Sequence, residues 1–218
     1  MAVHLADRIK TLLKADFSVI RILLSQLHSG YLLDNGWFKS FKNKTSVDKN
    51  GNPIPWVTYP FIDFIRERLN KEINIFEFGS GNSTLFYATK VKSLITIEHD
   101  KKWFDKISDI IPENAKIIYQ EVDTDGYYCR CIKTTNKKFD IIIDDALDRV
   151  NCIYNSLESL SEKGVIILDD SERKEYNEGV DFLIKNNFKK LDFWGIAPGI
   201  LFKKCTSVFY KKNNCLGI

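Results

Sequence analysis

Apolar positions follow two different periods along this chain. From position 59 onward, short runs rich in isoleucine and valine are separated by stretches with apolar residues at steps of three and four, which is typical of strands alternating with amphipathic helices. Continuous apolar strands joined by helices predict a parallel sheet that is covered on both faces. The predicted strands of this sheet are Ile73–Phe78, Leu94–Ile97, Lys116–Val122, Phe139–Ile143 and Val165–Leu168.

The end of the chain has a different pattern. Two further predicted strands, Phe188–Trp194 and Thr206–Lys211, are joined by a loop that contains Gly195, Pro198 and Gly199. This loop is too short for the crossover helix that parallel neighbours need. We therefore expect the two strands to pair antiparallel.

Residues 1–58 predict a helical N-terminal extension with a lid, ahead of a domain over residues 59–218. The polar, turn-rich stretch Lys39–Pro55 predicts a loop or lid. The apolar stripe before it can pack on the sheet, cap a pocket or pair with a second copy, and we favour a cap that also contributes to a homodimer. Its apolar positions recur at steps of three and four: Leu5, Ile9, Leu12, Leu13, Phe17, Ile20, Leu24 and Leu27.

Length and charge narrow the class of protein. The 218 residues correspond to one domain with an appendage, or to two small domains. The 32 basic and 29 acidic residues leave a net charge of +3, which argues against nucleic acid as the partner. The most apolar segment, Phe17–Leu33, is broken by charged and polar residues, and the N-terminus lacks a secretory pattern. We therefore expect a cytoplasmic protein without a membrane partner, and the unpaired spacing of five cysteines predicts reduced thiols.

The segment EFGSGNST, at Glu77–Thr84, is the most informative motif. It lies where the first predicted strand of the sheet ends and a helix begins. Gly79 and Gly81 allow a sharp turn and a close approach of the backbone to a ligand. Glu98 ends the next strand, 19 positions after Gly79, where a carboxylate can accept hydrogen bonds from both ribose hydroxyls. This layout predicts a nucleoside-containing cofactor.

Two residues of the motif separate the cofactor classes. A nicotinamide enzyme has a third glycine where this chain has Thr84. The acid Glu77, before the first glycine, would repel a pyrophosphate but suits a sulfonium and an amino group. S-Adenosylmethionine therefore fits the turn better than NAD.

These features resemble the class I S-adenosylmethionine-dependent methyltransferases. The resemblance implies an α/β fold with a Rossmann-like doubly wound sheet of seven strands, in the order 3-2-1-4-5-7-6 with the last strand antiparallel. It runs from about Tyr59 to Lys211, and within the superfamily two segments, PWVTYP and DFWGIAPG, look most like bacterial methyltransferases of sugar and polysaccharide gene clusters. The motifs that carry it are ExGxG at Glu77–Gly81, Glu98, FDIIIDD at Phe139–Asp145 and KGVIILDD at Lys163–Asp170.

The resemblance also implies which residues bind the cofactor. The EFGSGNS turn would line its methionine part, Glu98 would hold the ribose, His99 would lie beside the adenine, and an acid after the third strand would contact the adenine amine. The cofactor-binding candidates are Glu77, Gly79, Ser80, Gly81, Asn82, Ser83, Glu98, His99, Glu121, Asp123 and Asp144.

Pairs of aspartates, Asp144–Asp145 and Asp169–Asp170, end the fourth and fifth strands. Adjacent parallel strands bring such ends together on the side where ligands bind. The arrangement is similar to that of metal-dependent catechol and macrolide-sugar O-methyltransferases, which implies Mg²⁺ ligands at Asp144, Asp169 and Asp170. Without a metal, Asp145 or Asp169 would act as general base, and the same aspartates are also typical of helix N-caps. The catalytic candidates are Asp144, Asp145 and Asp169.

The sequence therefore predicts a methyltransferase that uses S-adenosylmethionine to methylate an oxygen of a small molecule or sugar, with nitrogen acceptors left open. The Asn-Pro-Pro-Tyr motif of DNA methyltransferases is absent after the fourth strand, where the chain continues DDALDR. Three alternatives remain open. An NAD-dependent oxidoreductase should lack the antiparallel finish, a non-catalytic S-adenosylmethionine-binding module would bind the cofactor without turnover, and a polyamine synthase would transfer an aminopropyl group.

Overall fold

A seven-stranded sheet is the centre of the fold in the computed structural model, which describes residues 16–218. Its strands are β1 (Asn74–Phe78), β2 (Ser93–Glu98), β3 (Ala115–Tyr119), β4 (Phe139–Asp144), β5 (Leu160–Asp169), β6 (Lys189–Ala197) and β7 (Ile200–Tyr210). Their order is β3-β2-β1-β4-β5-β7-β6. The first five strands are parallel, whereas β7 runs antiparallel to both β5 and β6. The predicted strand order and antiparallel finish are confirmed.

Helices cover both faces of this sheet. They are α1 (Phe17–Ser25), α2 (Tyr31–Asp34), α3 (Trp37–Asn43), α4 (Tyr59–Arg66), α5 (Asn82–Ala88), α6 (Lys101–Ser108), α7 (Tyr127–Thr134), α8 (Arg149–Ser156) and α9 (Asn177–Lys185), with short 3-10 turns at Leu157–Ser159 and Lys174–Tyr176. Neighbouring residues of β1 serve different faces because side chains alternate along a strand. Ile75 packs into one apolar cluster, whereas Phe76 and Phe78 pack into the other.

The extension differs from its prediction in one respect. The stretch Lys39–Pro55 is not a loop throughout, because α3 continues to Asn43. The reason is a tertiary contact: Trp37 at the start of α3 is buried, and its indole Nε1 donates a hydrogen bond to the carbonyl of Ile200, 3.0 Å away. A local reading of polar residues does not detect such an anchor.

Residues 44–58, which follow α3 and which we call the lid, are held at two points near the carboxyl ends of the strands. Trp56 Nε1 donates to the carbonyl of Pro198 at 2.8 Å, which fixes the lid to the loop between β6 and β7. Asn82 Nδ2 donates to the carbonyl of Ser46 at 2.6 Å and to Thr45 Oγ1 at 3.0 Å, which fixes the lid to the start of α5.

The N-terminal stripe is covered only in part by the described residues. Leu5, Ile9, Leu12 and Leu13 lie outside them. Helix α1 buries none of its residues, and Phe17 is 79% exposed. The predicted homodimer therefore stays a prediction.

Two further observations concern the cysteines and the helices. All five cysteines are free thiols, and four of them are buried. Over residues 16–218, none of the helices combines the length and the apolar character that crossing a membrane requires.

Candidate functional site

The glycine turn brings the ends of β1 and β4 together. Gly79 has a φ of +89°, and a Cβ atom there would lie 2.6 Å from the carbonyl oxygen of Asp145. Its N–H donates to the carbonyl of Ile97 at 2.9 Å. Only glycine combines this left-handed conformation with so close an approach to a neighbouring backbone.

Glu98 lies beside this turn, at the end of β2. Its buried carboxylate accepts hydrogen bonds from Ser80 N at 3.0 Å and Ser80 Oγ at 2.7 Å, and from the backbone N–H groups of His99 and Asp100, each at 2.8 Å. Four donors fix the orientation of the carboxylate. The predicted spacing of Gly79 and Glu98 therefore corresponds to a physical contact between the turn and the acid.

A cavity of about 600 Å³ opens beside the turn, and we call it the turn cavity. One wall is Trp103, whose Nε1 donates to the carbonyl of Ser80 at 2.7 Å. Nδ1 of His99 is buried and lies 3.2 Å from Glu98 Oε1, so it contacts the carboxylate of Glu98. The lining residues are Gly79, Ser80, Ser83, Glu98, His99, Asp100, Lys102, Trp103, Lys106 and Asp145.

A second cavity, of about 210 Å³, lies between the lid and β7, and we call it the β7 cavity. Aromatic and charged side chains share its walls: Trp56, Asp145, Asp169, Asp170, Arg173, Ile200, Phe202 and Lys204. Asp145 lines both cavities, so the two meet at this residue.

Asp169 and Asp170 are bound to a buried lysine in the β7 cavity. Lys204 Nζ lies 2.6 Å from Asp169 Oδ2 and 2.7 Å from Asp170 Oδ1. Thr206 Oγ1 donates to the other oxygen of Asp169 at 2.7 Å. Burial and the nearby Asp145 raise the pKa of Asp169 above its usual value, although Lys204 opposes the shift. For Asp170, burial favours the neutral form, but the bonds from Lys204 outweigh it and lower the pKa.

The predicted Mg²⁺ site does not fit these residues. Among residues 16–218, no three His, Cys, Asp or Glu side chains are grouped so that they could hold a metal ion. The reason is visible at Asp169 and Asp170, because the ammonium group of Lys204 lies between them. Asp144, the third predicted ligand, is directed into the protein interior, with 1% of its surface exposed.

Asp144 and Asp145 differ sharply although they are neighbours. Asp144 lines neither cavity, its two oxygens make no hydrogen bond within the described chain, and burial raises its pKa well above the usual range. Asp145 is half-buried and forms an ion pair with Arg149 Nη2 at 2.5 Å. Arg149 therefore pairs with the second of these two aspartates. The geometry favours Asp145 and Asp169 over Asp144 for chemistry on an acceptor.

Glu77 is also directed away from the cavities. Thr84 Oγ1 donates to its Oε2 at 2.5 Å, and Thr84 Oγ1 in turn accepts from the N–H of Gly81 at 3.0 Å. Burial raises the pKa of Glu77 to about 8, so its carboxyl is mostly neutral at pH 7. In the described structure Glu77 stabilises the turn from behind instead of facing a ligand. Asn82 does not line the turn cavity but holds the lid, whereas Ser83 lines the turn cavity.

The acids after β3 lie apart from the turn cavity. Asp123 accepts hydrogen bonds from the N–H groups of Tyr127 at 2.8 Å and Tyr128 at 3.0 Å, so it binds the free N–H groups at the start of α7. Glu121 accepts from Tyr119 Oη at 3.1 Å. Neither residue is among those that line the turn cavity, which leaves the predicted contact with the adenine amine without support from the geometry.

Two residues of the site were missed by reasoning from the sequence. Trp103 follows the helix N-cap Asp100, whose side chain accepts from Trp103 N, so its position on the first turn of α6 was a usable signal. Lys204 had no local signal. It reaches Asp169 because β7 pairs antiparallel with β5, with Thr206 opposite Asp169 and Lys204 two residues away on the same face.

Comparisons with known proteins agree with this fold. No protein-family model matches the sequence, and no curated protein matches it. Similar solved structures include a proposed O-methyltransferase from Klebsiella pneumoniae (TM-score 0.56, 14% identity, covering 88% of this chain and 96% of that one). An rRNA methylase from Streptococcus thermophilus has a TM-score of 0.52 at 15% identity, covering 72% of this chain and 99% of that one. A proposed methyltransferase from Streptococcus mutans in complex with SAH has a TM-score of 0.51 at 13% identity, covering 68% and 94%.

Sequence identities of 13–15% show only that these proteins share a fold with this chain. The seven-stranded sheet with its antiparallel β7 is the fold of class I S-adenosylmethionine-dependent methyltransferases. The antiparallel finish also disfavours the NAD-dependent alternative, which was expected to lack it.

Proposed function

We propose that this protein transfers a methyl group from S-adenosylmethionine to an oxygen of a small molecule or sugar. The observation that carries the proposal is the meeting of two cavities at Asp145, beyond the carboxyl ends of the strands. In open α/β sheets, ligands bind at this edge. Two cavities of different size that share a lining residue suit a cofactor and an acceptor whose reacting atoms must come together.

The turn cavity fits S-adenosylmethionine through its donor and acceptor groups. Glu98 would accept hydrogen bonds from the ribose hydroxyls in place of the bond from Ser80 Oγ, and the absence of a side chain at Gly79 leaves room for a close approach of the ligand. His99 and Trp103 both line the cavity, and the ring of Trp103 supplies an apolar wall. When bound, S-adenosylmethionine supplies a methyl group that is already activated by its sulfonium, so the protein mainly has to align the acceptor and exclude water.

The β7 cavity fits the acceptor. Its Trp56 and Phe202 offer apolar faces, and its carboxylates can bind hydroxyl groups. A hydroxyl that lies against Asp145 must lose its proton as the oxygen is methylated, and either Asp145 or Asp169 accepts that proton. The aminopropyl alternative uses the same scaffold but decarboxylated S-adenosylmethionine as the donor, so it would give no methylated product in the acceptor assay.

The volume and charge of the β7 cavity support a small acceptor. About 210 Å³ is room for a sugar-sized group, and the net charge of the chain is only +3. An RNA acceptor would require a strong basic surplus on one face.

Calorimetric titration with S-adenosylhomocysteine, with and without Mg²⁺ and with NAD as a comparison, tests the cofactor. We expect micromolar binding of S-adenosylhomocysteine alone. Glu98→Gln should weaken it by about tenfold or more, because an amide group replaces an oxygen that accepts two hydrogen bonds. The matched control is Glu113→Gln, at an exposed carboxylate outside both cavities. Preferential binding of NAD would contradict the proposal.

Methylation of a panel of hydroxyl and amine acceptors, with labelled S-adenosylmethionine, tests the transfer itself. Asp145→Asn and Asp169→Asn then distinguish the two candidate bases by the loss of kcat in each. Tight cofactor binding without any methylation across the panel would favour a non-catalytic binding module.

A further inference from the structure

The β7 cavity contains a cation that belongs to the chain itself. Lys204 is 4% exposed, and its Nζ lies within 2.7 Å of one oxygen of Asp169 and one oxygen of Asp170. Asp169 and Asp170 are consecutive residues at the end of β5, and Lys204 reaches them from β7. The ammonium group therefore bridges two carboxylates that follow one another in the chain.

This position is the one that a divalent ion would need. A Mg²⁺ ion lies about 2.0–2.1 Å from its oxygen ligands and takes oxygens from more than one carboxylate. The ammonium nitrogen of Lys204 lies 2.6 Å and 2.7 Å from the two nearest oxygens, so it fills the space between them. A second cation in the same space would meet both steric overlap and repulsion between like charges.

The charges around the two aspartates are already balanced. Arg173 Nη2 lies 2.6 Å from Asp170 Oδ2, and Arg149 Nη1 lies 3.6 Å from the same oxygen. Thr206 donates to Asp169. Burying an ammonium is unfavourable unless carboxylates compensate it, and removing one partner of such a group leaves an uncompensated charge. Loss of Lys204 would thus leave Asp169 without its ammonium partner, whereas Asp170 would keep Arg173 and Arg149.

We propose that Lys204 is the resident cation of the β7 cavity, in the place of a divalent ion between Asp169 and Asp170, and that it is a positioning residue for these carboxylates. Applied to the proposed methyl transfer, on which this last step rests, Lys204 makes the reaction independent of a divalent metal. The cation site itself does not depend on the identity of the acceptor.

Binding of Mn²⁺, followed by electron paramagnetic resonance, tests the cation site in the full chain. The wild-type protein should bind no Mn²⁺ between Asp169 and Asp170. The Asp170→Asn substitution should therefore leave its Mn²⁺ binding unchanged. Lys204→Met removes the charge while keeping a side chain of similar length, and we expect its Mn²⁺ affinity to exceed that of the wild type by at least about tenfold. The matched control is Lys203→Met, because Lys203 is the exposed neighbour whose ammonium lies over the ring of Trp194. It should bind Mn²⁺ as the wild type does.

Two results would overturn the proposal. The first is Mn²⁺ binding by the wild type that disappears in Asp170→Asn, since the metal would then displace Lys204. The second is a folded Lys204→Met variant that gains no Mn²⁺ binding. If Lys204→Met does not fold without added metal, thermal melting with and without Mn²⁺ replaces the binding assay. We then expect Mn²⁺ to restore folding, and the same concentration of Na⁺ not to restore it. Failure of Mn²⁺ to restore folding would count against the proposal. The Lys204→Arg variant keeps the positive charge and should fold without metal.

The titration with S-adenosylhomocysteine keeps this proposal separate from the proposed function. Failure of cofactor binding with the expected Mn²⁺ results would remove the methyl transfer and leave the resident cation. Binding of S-adenosylhomocysteine together with a Mn²⁺ site in the wild type would remove the resident cation and leave the proposed methyl transfer.

Discussion

Glu77 leads to a prediction that contrasts with the usual expectation for an acid in a cofactor turn. Its carboxyl is buried behind the turn, accepts a hydrogen bond from Thr84, and has its pKa raised to about 8 by burial. A neutral carboxyl and a carboxamide have nearly the same shape, and the carbonyl oxygen of glutamine can accept the same bond from Thr84. Glu77→Gln therefore removes a titration while keeping the contacts of the native state.

The expected size follows from the two pKa values. In the unfolded chain Glu77 titrates near its ordinary value of 4.5, whereas in the folded protein it titrates near 8. Because the folded pKa is raised, stability is full below the unfolded pKa and is lost as pH rises through this window. Each pH unit in the window lowers the free energy of unfolding by about 1.4 kcal/mol. Between about pH 5 and pH 7 the wild type should lose roughly 2–3 kcal/mol that Glu77→Gln retains.

Thermal unfolding of both proteins across this pH range measures the difference. The melting temperature of Glu77→Gln should gain on that of the wild type by about 5–10 °C between about pH 5 and pH 7. Glu113→Gln, at an exposed carboxylate, is the control and should show a constant difference from the wild type. If the difference in melting temperature between Glu77→Gln and the wild type does not widen with pH, the assignment of a neutral Glu77 is refuted. The affinity for S-adenosylhomocysteine should be unchanged, in contrast with Glu98→Gln.

Three further substitutions test the turn, the lid and the helix after β3. Gly79→Ala places a Cβ against the carbonyl of Asp145, so urea unfolding should show a loss of roughly 2–4 kcal/mol, and a loss below about 1 kcal/mol would contradict the close approach. Asn82→Ala removes the tie to Ser46, and limited proteolysis should cut the lid faster, whereas an unchanged cleavage rate would count against this anchor. Asp123→Ala should lower stability by about 1 kcal/mol by removing acceptors at the start of α7. A large loss of cofactor affinity at unchanged stability would instead restore its predicted contact with adenine.

The lid and the hairpin of β6 and β7 together determine what the β7 cavity can accept. Trp56 comes from the lid and binds the loop between these two strands through Pro198, while Phe202 and Lys204 come from β7. Residues from distant parts of the chain thus form the cavity that we propose for the acceptor. The turn cavity, in contrast, is built mainly from one strand-turn-helix segment and the end of the next strand. This division explains why the cofactor class was easier to infer than the acceptor.

The sheet and the cofactor turn were largely determined by local sequence. Strand and helix periods reflect which faces are buried, and these periods can be read without knowing the partners. The order of the strands followed from the resemblance, and the antiparallel pairing of β6 with β7 followed from the short loop at Gly195–Gly199. The contact of the glycine turn with Glu98, made by Ser80, followed from the spacing of Gly79 and Glu98 along one β-α-β unit. The hairpin of β6 and β7 and the contact between the turn and Glu98 involve segments that are close in the chain. The pairings of β1 with β4 and of β5 with β7 do not, and they followed only from the resemblance.

Tertiary structure decided the chemistry of the acceptor side. Asp144 and Asp145 look equivalent in the sequence, but successive residues at a strand end point in opposite directions, so one is buried and the other lies between the cavities. Lys204 replaces the predicted metal because the antiparallel register of β7 places it against Asp169, 35 positions earlier in the chain. Side-chain direction and strand register depend on contacts between distant segments, and no local pattern of residues encodes them.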